Sequence, residues 1–443
     1  MQLKNFKSST YSLTTDEVKI LFDPWLVDGE YYGSWSHYPP VELDFDQFND
    51  FDFICLTHIH PDHFSKKTFE KLNKKIPVII LDYKQKFLKI NLQILGFDVI
   101  EIKHGSSVKF KDINIKVYAA DNCDPDICKK FFGCGIFGQK NDQSNQIDSI
   151  FVVENNSTVL VNTNDVPYEL AKDVLKDIKV NHKKIDFLLS GYSGAGPYPQ
   201  CFANLSQNEQ EKRAHKKKIF FLEQCVSIIN TLNPTYYMPF AGQYTLSGKL
   251  SNLNKLRGIP SLLEAKAYLE SKINVKAKCI LLNFSSVFDF AKPKVPKFDH
   301  SIFKDEENYI KNSLSKIKFD YEKNNLPENY QIVDLLEKCF LRFEKKRQEI
   351  NFISKTKIII PLLLDKYLII YLNGKNYEIL NKDKVIWQDY LKIDIDLRLL
   401  YQILMGPKYA HWNNAEIGSH IKYFRSPDIY ERGLFYCLNF FHQ

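Results

Sequence analysis

Short apolar runs alternate with polar breaks through the first half of the chain. Thr10 to Leu13 and Val18 to Phe22 flank Thr14-Thr15-Asp16 and read as a hairpin. Phe51 to Leu56, Val78 to Leu81 and Val99 to Ile102 are runs of the buried-strand kind. Between them, Ser65 to Leu72 and Lys84 to Leu95 carry helical apolar spacing. Val108 to Phe110 and Ile113 to Tyr118 form a second hairpin. This order predicts two sheets sandwiched by helices, an α/β (α+β) fold. Residues 203 to 218 are polar and Lys-rich, which fits a solvated helix, and 219 to 232 turn apolar at helical spacing.

The pattern changes at Lys292 to Lys297, where Lys-Pro-Lys-Val-Pro-Lys reads as a linker. Two domains are therefore expected, 1–295 and 296–443. The second begins helical and charged, from about 303 to 350. Strands follow over Lys357 to Leu364, Tyr367 to Leu372 and Tyr377 to Leu380, with Asn373-Gly374 as a hairpin turn. Leu397 to Met405 is spaced as a helix. This α+β portion loosely resembles a sterol carrier protein-like module.

Candidate chemistry concentrates in one place. Thr57-His58-Ile59-His60-Pro61-Asp62-His63-Phe64 follows the apolar run ending at Leu56, so it forms the loop at the C-terminal end of a buried strand. Open α/β sheets place their ligands there. His58 and His60 can converge on one metal, and Asp62 and His63 can reach a second beyond the turn at Pro61. Imidazole and carboxylate suit Zn, Fe and Mn. The chain has only 11 His in 443 residues, so three within six positions beside an Asp is not a chance loop composition.

Composition narrows the alternatives. An apolar content of 44% with 33 Phe and 25 Tyr is ample for a large core. No signal peptide is visible, and no apolar run is long enough to span a bilayer. The nine Cys are scattered (Cys123, Cys128 and Cys134 cluster without a Cys-x-x-Cys pair), which fits reduced thiols in a cytoplasmic protein. The net charge of +7 comes largely from dispersed Lys and suits anionic substrates or an acidic partner. No basic run with interleaved aromatics points to nucleic acid.

The His-x-His-x-Asp-His motif resembles the signature of the metallo-β-lactamase superfamily. Leu21-Phe22-Asp23-Pro24-Trp25-Leu26 is similar to the "DPWL" segment of one branch. That branch includes CMP-N-acetylneuraminate hydroxylase, N-acyl phosphatidylethanolamine phospholipase D and ascorbate-lactonase-like proteins. Val161-Asn-Thr-Asn-Asp165, Ser190-Gly-Tyr-Ser-Gly-Ala-Gly-Pro-Tyr-Pro199 and Met238-Pro-Phe-Ala-Gly242 resemble the hydroxylase side. The resemblance covers about residues 1 to 250 and implies an αββα sandwich.

It also implies a metal-ligand set. His58, His60, Asp62 and His63 come from the first motif, with Asp165 as a carboxylate bridging two cations. Where the family has a third His after the strand Ile113 to Tyr118, this chain has Asp121-Asn122-Cys123-Asp124-Pro125. Aligning Asp124-Pro125 with His-Pro puts Asp124 in the ligand position, with Asp121 as competitor. Carboxylate in place of imidazole shifts preference toward Fe or Mn. Gly248 falls where the family has its last His, and His411 of the second domain is the candidate to complete that position.

Ser190, Ser193, Gly194 and Gly196 can expose backbone N–H groups to an anion, while Tyr192, Tyr244 and Trp35 are candidates to stack on a base or sugar. Two activities are expected from such a site. In the first, one or two iron ions support hydroxylation of a sugar, a nucleotide-sugar or a related small anionic metabolite. The hydroxylase carries a Rieske segment, and this chain opens at Met1 on its first strand without Cys-x-His…Cys-x-x-His. Electrons are then expected from a separate ferredoxin- or flavodoxin-type donor. In the second, zinc or manganese lowers the pKa of a bound water that attacks a phosphodiester, amide or lactone, with Asp62 as proton acceptor. His58, His60 and Asp62 carry the catalytic role in either case.

Overall fold

The computed structural model describes residues 1–40, 42–127, 143–144, 146–156 and 158–443. Cys128 and Cys134 lie outside the described residues. Two seven-stranded sheets pack face to face. The first has the order Val287–Asp289, Gln2–Lys7, Thr10–Thr14, Lys19–Phe22, Phe53–Cys55, Val78–Leu81, Val99–Ile102. The second runs Lys278–Cys279, Tyr236–Phe240, Phe187–Gly191, Thr158–Asn164, Ser149–Asn155, Ile113–Ala119, Ser107–Phe110. In each sheet a group of antiparallel strands gives way to parallel ones, as at Lys19–Phe22 beside Phe53–Cys55.

Strand periodicity explains the layering. Along Ser149–Asn155, Phe151 and Val153 join the core between the sheets, while Ile150 and Val152 join a second core on the outer face. Leu189 and Leu188 divide in the same way. Successive side chains point to opposite faces, and both faces are covered, so these strands read as continuous apolar runs. Helices Tyr168–Asn181, Gln207–Leu232 and Leu262–Lys272 supply the outer cover, with Leu170, Leu175, Cys225, Ile229 and Leu269 buried beneath them. The helix Gln207–Leu232 starts on a capping box, in which the Ser206 hydroxyl meets the Glu209 N–H and the Glu209 carboxylate the Ser206 N–H. Its charged first turns are the solvated face, as expected.

The chain beyond residue 296 forms a third sheet of five strands, ordered Glu378–Asn381, Lys366–Tyr371, Lys357–Pro361, Tyr390–Asp394, Lys422–Ser426. The expected run of strands is present, and two further strands sit on its other side. The charged stretch 303 to 350 is not one helical block. It breaks into short turns and the helix Glu306–Asn312 before the helix Asn329–Glu349. This third sheet is stitched to the sandwich. Tyr423 donates its N–H to the Cys201 carbonyl at 2.8 Å and accepts the Ala203 N–H at 2.8 Å, and Phe202 stacks on its ring. Among the described residues seven Cys are buried and no disulfide joins them. No helix among them is long and apolar enough to cross a membrane.

One buried acid in this interface has a measurable signature. The Glu416 carboxyl accepts the Tyr423 hydroxyl at 2.5 Å. Burial pushes its pKa from 4.5 up to about 7, against the lowering effect of that bond. Between these values the folded chain holds a proton that the unfolded chain has lost. Its contribution is therefore complete below the unfolded value and is lost as pH rises through about 7. Glu416→Gln should raise stability at pH 8 by about 1–3 kcal/mol and leave it unchanged near pH 4. Urea melts at the two pH values decide this; an equal effect at both would overturn it.

Candidate metal centre

The first motif lies where its strand predicts. Phe53–Cys55 lies within the parallel part of the first sheet, between Lys19–Phe22 and Val78–Leu81, and the loop from Thr57 onward follows its C-terminal end. The loop is anchored from below by Asp23, which is fully buried. Asp23 accepts the Thr57 N–H at 2.8 Å, the Thr57 hydroxyl at 2.7 Å and His63 Nδ1–H at 3.1 Å. The Asn164 amide donates to the Thr57 hydroxyl and, at 3.3 Å, to Asp23. From the second sheet, Ser149 donates its hydroxyl to the Thr57 carbonyl at 2.6 Å. One buried network thus locks both sheets to the motif.

That network sets the tautomers. His63 gives Nδ1–H to Asp23, so Nε2 faces inward, 3.4 Å from Asp62 Oδ2 and 3.3 Å from Asp165 Oδ2. His58 Nδ1 pairs with the Thr57 hydroxyl at 3.1 Å, which turns His58 Nε2 toward His60 Nδ1, 3.0 Å away. Asp165 Oδ2 lies 4.0 Å from His58 Nε2 as well, so the carboxylate stands between the two groups. The donor atoms of His58, His63 and Asp165 all lie within 4.8 Å of one another. Tyr31 donates its hydroxyl to Asp62 Oδ1 at 2.6 Å.

The electrostatics call for cations. Burial, and then the neighbouring His63 and His60, hold His58 well below the usual imidazole range, so it is a neutral ligand. Burial lowers His60 too. Burial alone would lower His63, but Asp62 and Asp165 hold it well above its ordinary value. For Asp62 burial is outweighed by His63, which keeps the carboxyl at about 2. His63 Nε2 and Asp165 Oδ1 are buried with no hydrogen-bond partner. Convergent carboxylates, neutral imidazoles and orphaned inward-facing donors fit divalent cations bound by N and O ligands. Two donors that each bind one ion at about 2.0–2.1 Å stand about 3 Å apart, the spacing of His58 Nε2 and His60 Nδ1.

The structure does not bring every expected residue into this cluster. Asp124 sits in a turn and accepts the Asp126 N–H at 2.9 Å. Asp121 is buried against the Ser144 hydroxyl at 2.8 Å. The carboxyl that couples to the site is Asp148, which sequence reasoning missed. Burial, followed by Asp165, raises its pKa to about 7, and His63 opposes the rise. Asp148 immediately precedes Ser149, whose hydroxyl bonds the Thr57 carbonyl, so strand pairing carries it to the motif.

His411 is likewise outside the cluster. Its Nδ1 accepts the Asn413 N–H at 3.2 Å and caps the helix Trp412–Ile417. The residue that reaches the site from this helix is Asn413, whose side-chain amide lies 3.4 Å from His60 Nε2. Gly248 has no room for a side chain. A Cβ there would stand 2.7 Å from the Ile317 carbonyl and 2.7 Å from the Phe319 ring.

The expected substrate loop is packed more tightly than its glycines imply. A Cβ on Gly194 would fall 1.9 Å from the Phe221 ring, so this glycine serves packing, not an anion cradle. Ser193 donates its hydroxyl to the Gly242 carbonyl at 3.1 Å. Ser190 and Tyr192 are buried. Gly196, at φ +106, has open space where a Cβ would stand, and its carbonyl accepts the Gln200 amide at 2.7 Å. Trp35 and Tyr244 do not offer open faces for a base, because they stack on each other at 3.4 Å and are almost fully covered.

Residues 2–239 match the beta-lactamase superfamily domain. The chain belongs to the beta-lactamase superfamily. This superfamily member has the metallo-β-lactamase fold, and the solved structures it resembles include one named a diiron beta-hydroxylase and one named a metallo hydrolase. It is 26% identical over 339 residues to a Mycolicibacterium smegmatis protein named a Rieske 2Fe-2S iron-sulfur protein, covering 74% of this chain and 60% of that one. It is 24% identical over 247 residues to cytidine monophosphate-N-acetylneuraminic acid hydroxylase of Danio rerio, covering 53% of this chain and 36% of that one. The chain thus spans less than two thirds of the length of these relatives. Among solved structures, the diiron beta-hydroxylase CmlA of Streptomyces venezuelae superposes with a TM-score of 0.41 at 14% identity, covering 65% of this chain and 53% of that one.

Proposed function

We propose that this chain is a non-haem iron oxygenase that hydroxylates a small anionic metabolite such as a sugar or nucleotide-sugar. The observation that carries the reading is the composition of the donor set. His58, His60 and His63 stand with Asp62 and Asp165, so two carboxylates share the site with three imidazoles. Oxygen-rich sites of this kind suit iron or manganese better than an imidazole-dominated zinc site. The named hydroxylase and iron–sulfur relatives support the same reading.

Iron held there would supply dioxygen activation. The chain's own residues prepare the site for it. Asp23 and Thr57 fix the tautomers of His63 and His58, Asp165 lies between the two donor groups, and Tyr31 occupies one oxygen of Asp62. Asn413 closes the site from the C-terminal portion beside His60. Reducing equivalents come from a separate ferredoxin- or flavodoxin-type protein, which the basic surface suits.

The test is elemental analysis of protein purified anaerobically without a metal-binding tag, with spectra before and after air. We expect about two irons per chain and an absorbance change on exposure to oxygen. Zinc or manganese without an oxygen response would overturn the oxygenase reading and point to hydrolysis of a phosphodiester, amide or lactone.

A further inference from the structure

The loop that carries Tyr31 is held in a conformation it would not adopt alone. Tyr31 (φ 49, ψ 56) and Tyr32 (φ 61, ψ 30) are consecutive side-chain-bearing residues in the left-handed region. Each is unfavourable for an L residue and persists only where surrounding structure imposes it. The Ser34 hydroxyl within the loop donates to the Tyr31 carbonyl at 2.9 Å, and further contacts come from the C-terminal portion. His420 Nε2 lies 2.7 Å from the Tyr31 carbonyl. A carbonyl only accepts, so Nε2 carries the proton, and the Tyr321 hydroxyl 3.2 Å from Nδ1 donates to that nitrogen and fixes the tautomer. Tyr32 Oη accepts the His411 N–H at 2.7 Å.

Phe319 wedges the same loop in place. A Cβ on Gly33, at φ +95, would stand 3.2 Å from the Phe319 Cα, and Gly248 lies under the Phe319 ring. The Phe319 ring meets the His420 ring edge-on at 4.7 Å. The neighbouring Asp320 accepts Lys67 Nζ at 3.0 Å. On its inner side the loop delivers one contact to the metal centre, the 2.6 Å bond from the Tyr31 hydroxyl to Asp62 Oδ1. That bond leaves Asp62 Oδ2 as the oxygen turned toward His63 Nε2.

On the metal-centre reading Asp62, His63 and Asp165 would hold a second cation, and Gly248 has no side chain to add to them. We propose that His420 is a positioning residue for that cation: through the Tyr31 carbonyl it holds the Tyr31 hydroxyl on Asp62, and so aims Asp62 Oδ2. The C-terminal portion then sets the affinity of the second position by orienting a ligand, not by adding one. This rests on the metal-centre reading above. Groups that orient metal ligands are typically worth about 10–100-fold in affinity.

Cobalt(II) titration of the full chain tests it, following the visible absorbance of each equivalent, with thermal melting in parallel. The wild-type chain should bind two equivalents. His420→Ala and Tyr31→Phe should each weaken the second by about tenfold or more and leave the first unchanged. His420→Gln, which retains an N–H donor, should recover most of the loss. Tyr31→Phe removes only the hydroxyl, so it carries the test should His420→Ala fail to fold. Lower melting temperatures with two wild-type cobalt equivalents in both variants would overturn the proposal. A wild-type chain that binds no cobalt would instead overturn the metal-centre reading.

Discussion

Asp23→Ala will destabilise the protein by about 3–5 kcal/mol and loosen the entire first motif. Asp23 lies within the segment Leu21 to Leu26 yet touches no solvent. It receives four donors, from the Thr57 backbone, the Thr57 hydroxyl, His63 and Asn164. Removing it strands these donors in a water-free interior, where each unmade bond costs about 1–3 kcal/mol. His63, held well above its ordinary pKa in part by this carboxylate, loses one source of that support. Denaturant unfolding should show a lower midpoint with an unchanged slope. Asp23→Asn keeps the shape but offers His63 an amide, so its loss should be smaller while the His63 ring signals still shift by NMR. A midpoint within about 0.5 kcal/mol of wild type for Asp23→Ala would contradict the anchoring role.

The second large effect is on metal binding. Asp165→Asn should cost at least about a hundredfold in cation affinity, more than the usual loss at an outer partner, and abolish turnover. Asp165 Oδ2 is the atom within reach of both His63 and His58, so no neighbour replaces it. The metal-free protein should respond in the opposite sense. Asp62, Asp148 and Asp165 crowd negative charge around a single protonated His63, and Asp165 itself contributes to raising Asp148. Neutralising Asp165 relieves that repulsion, so the apo variant should melt no lower than the apo wild type, a common trade between stability and function. Retained metal content, or a clear fall in apo stability, would show that Asp165 serves packing instead. His58→Ala should share the loss of turnover.

How much of this was legible in the chain differs from element to element. The first motif was readable because its chemistry is local. Four ligand-type side chains within six residues after a buried strand need no distant partner to be noticed. Asp165 was readable for the same reason, as the end of an apolar strand. Asp148 was not, because nothing nearby in sequence marks it. It comes near the motif only when Ser149–Asn155 pairs with its neighbours and Ser149 bonds the Thr57 carbonyl, 92 positions away. Asp124 looked equivalent on paper but turns into a local Asp126 bond.

The glycines and aromatics show the same limit. Gly194 and Gly248 looked like a cradle and a missing ligand, and both prove to be close-packing positions, under Phe221 and Phe319 respectively. A sequence records the absence of a side chain but not what fills the space. Trp35 and Tyr244 looked like open stacking surfaces and instead cover each other. By itself, then, the sequence determined the layered fold, the strand-end position of the metal motif and the identity of most of its donors. These follow from periodicity and from residues adjacent in the chain. Only the tertiary structure decided that Asp124 stays in a local turn, which nitrogen of each histidine faces inward, and that the C-terminal portion reaches the site through Asn413 and His420. Those outcomes depend largely on contacts between segments distant in the chain, from 40 positions for His63 and Asp23 to 389 for His420 and Tyr31, and burial gives such contacts their strength.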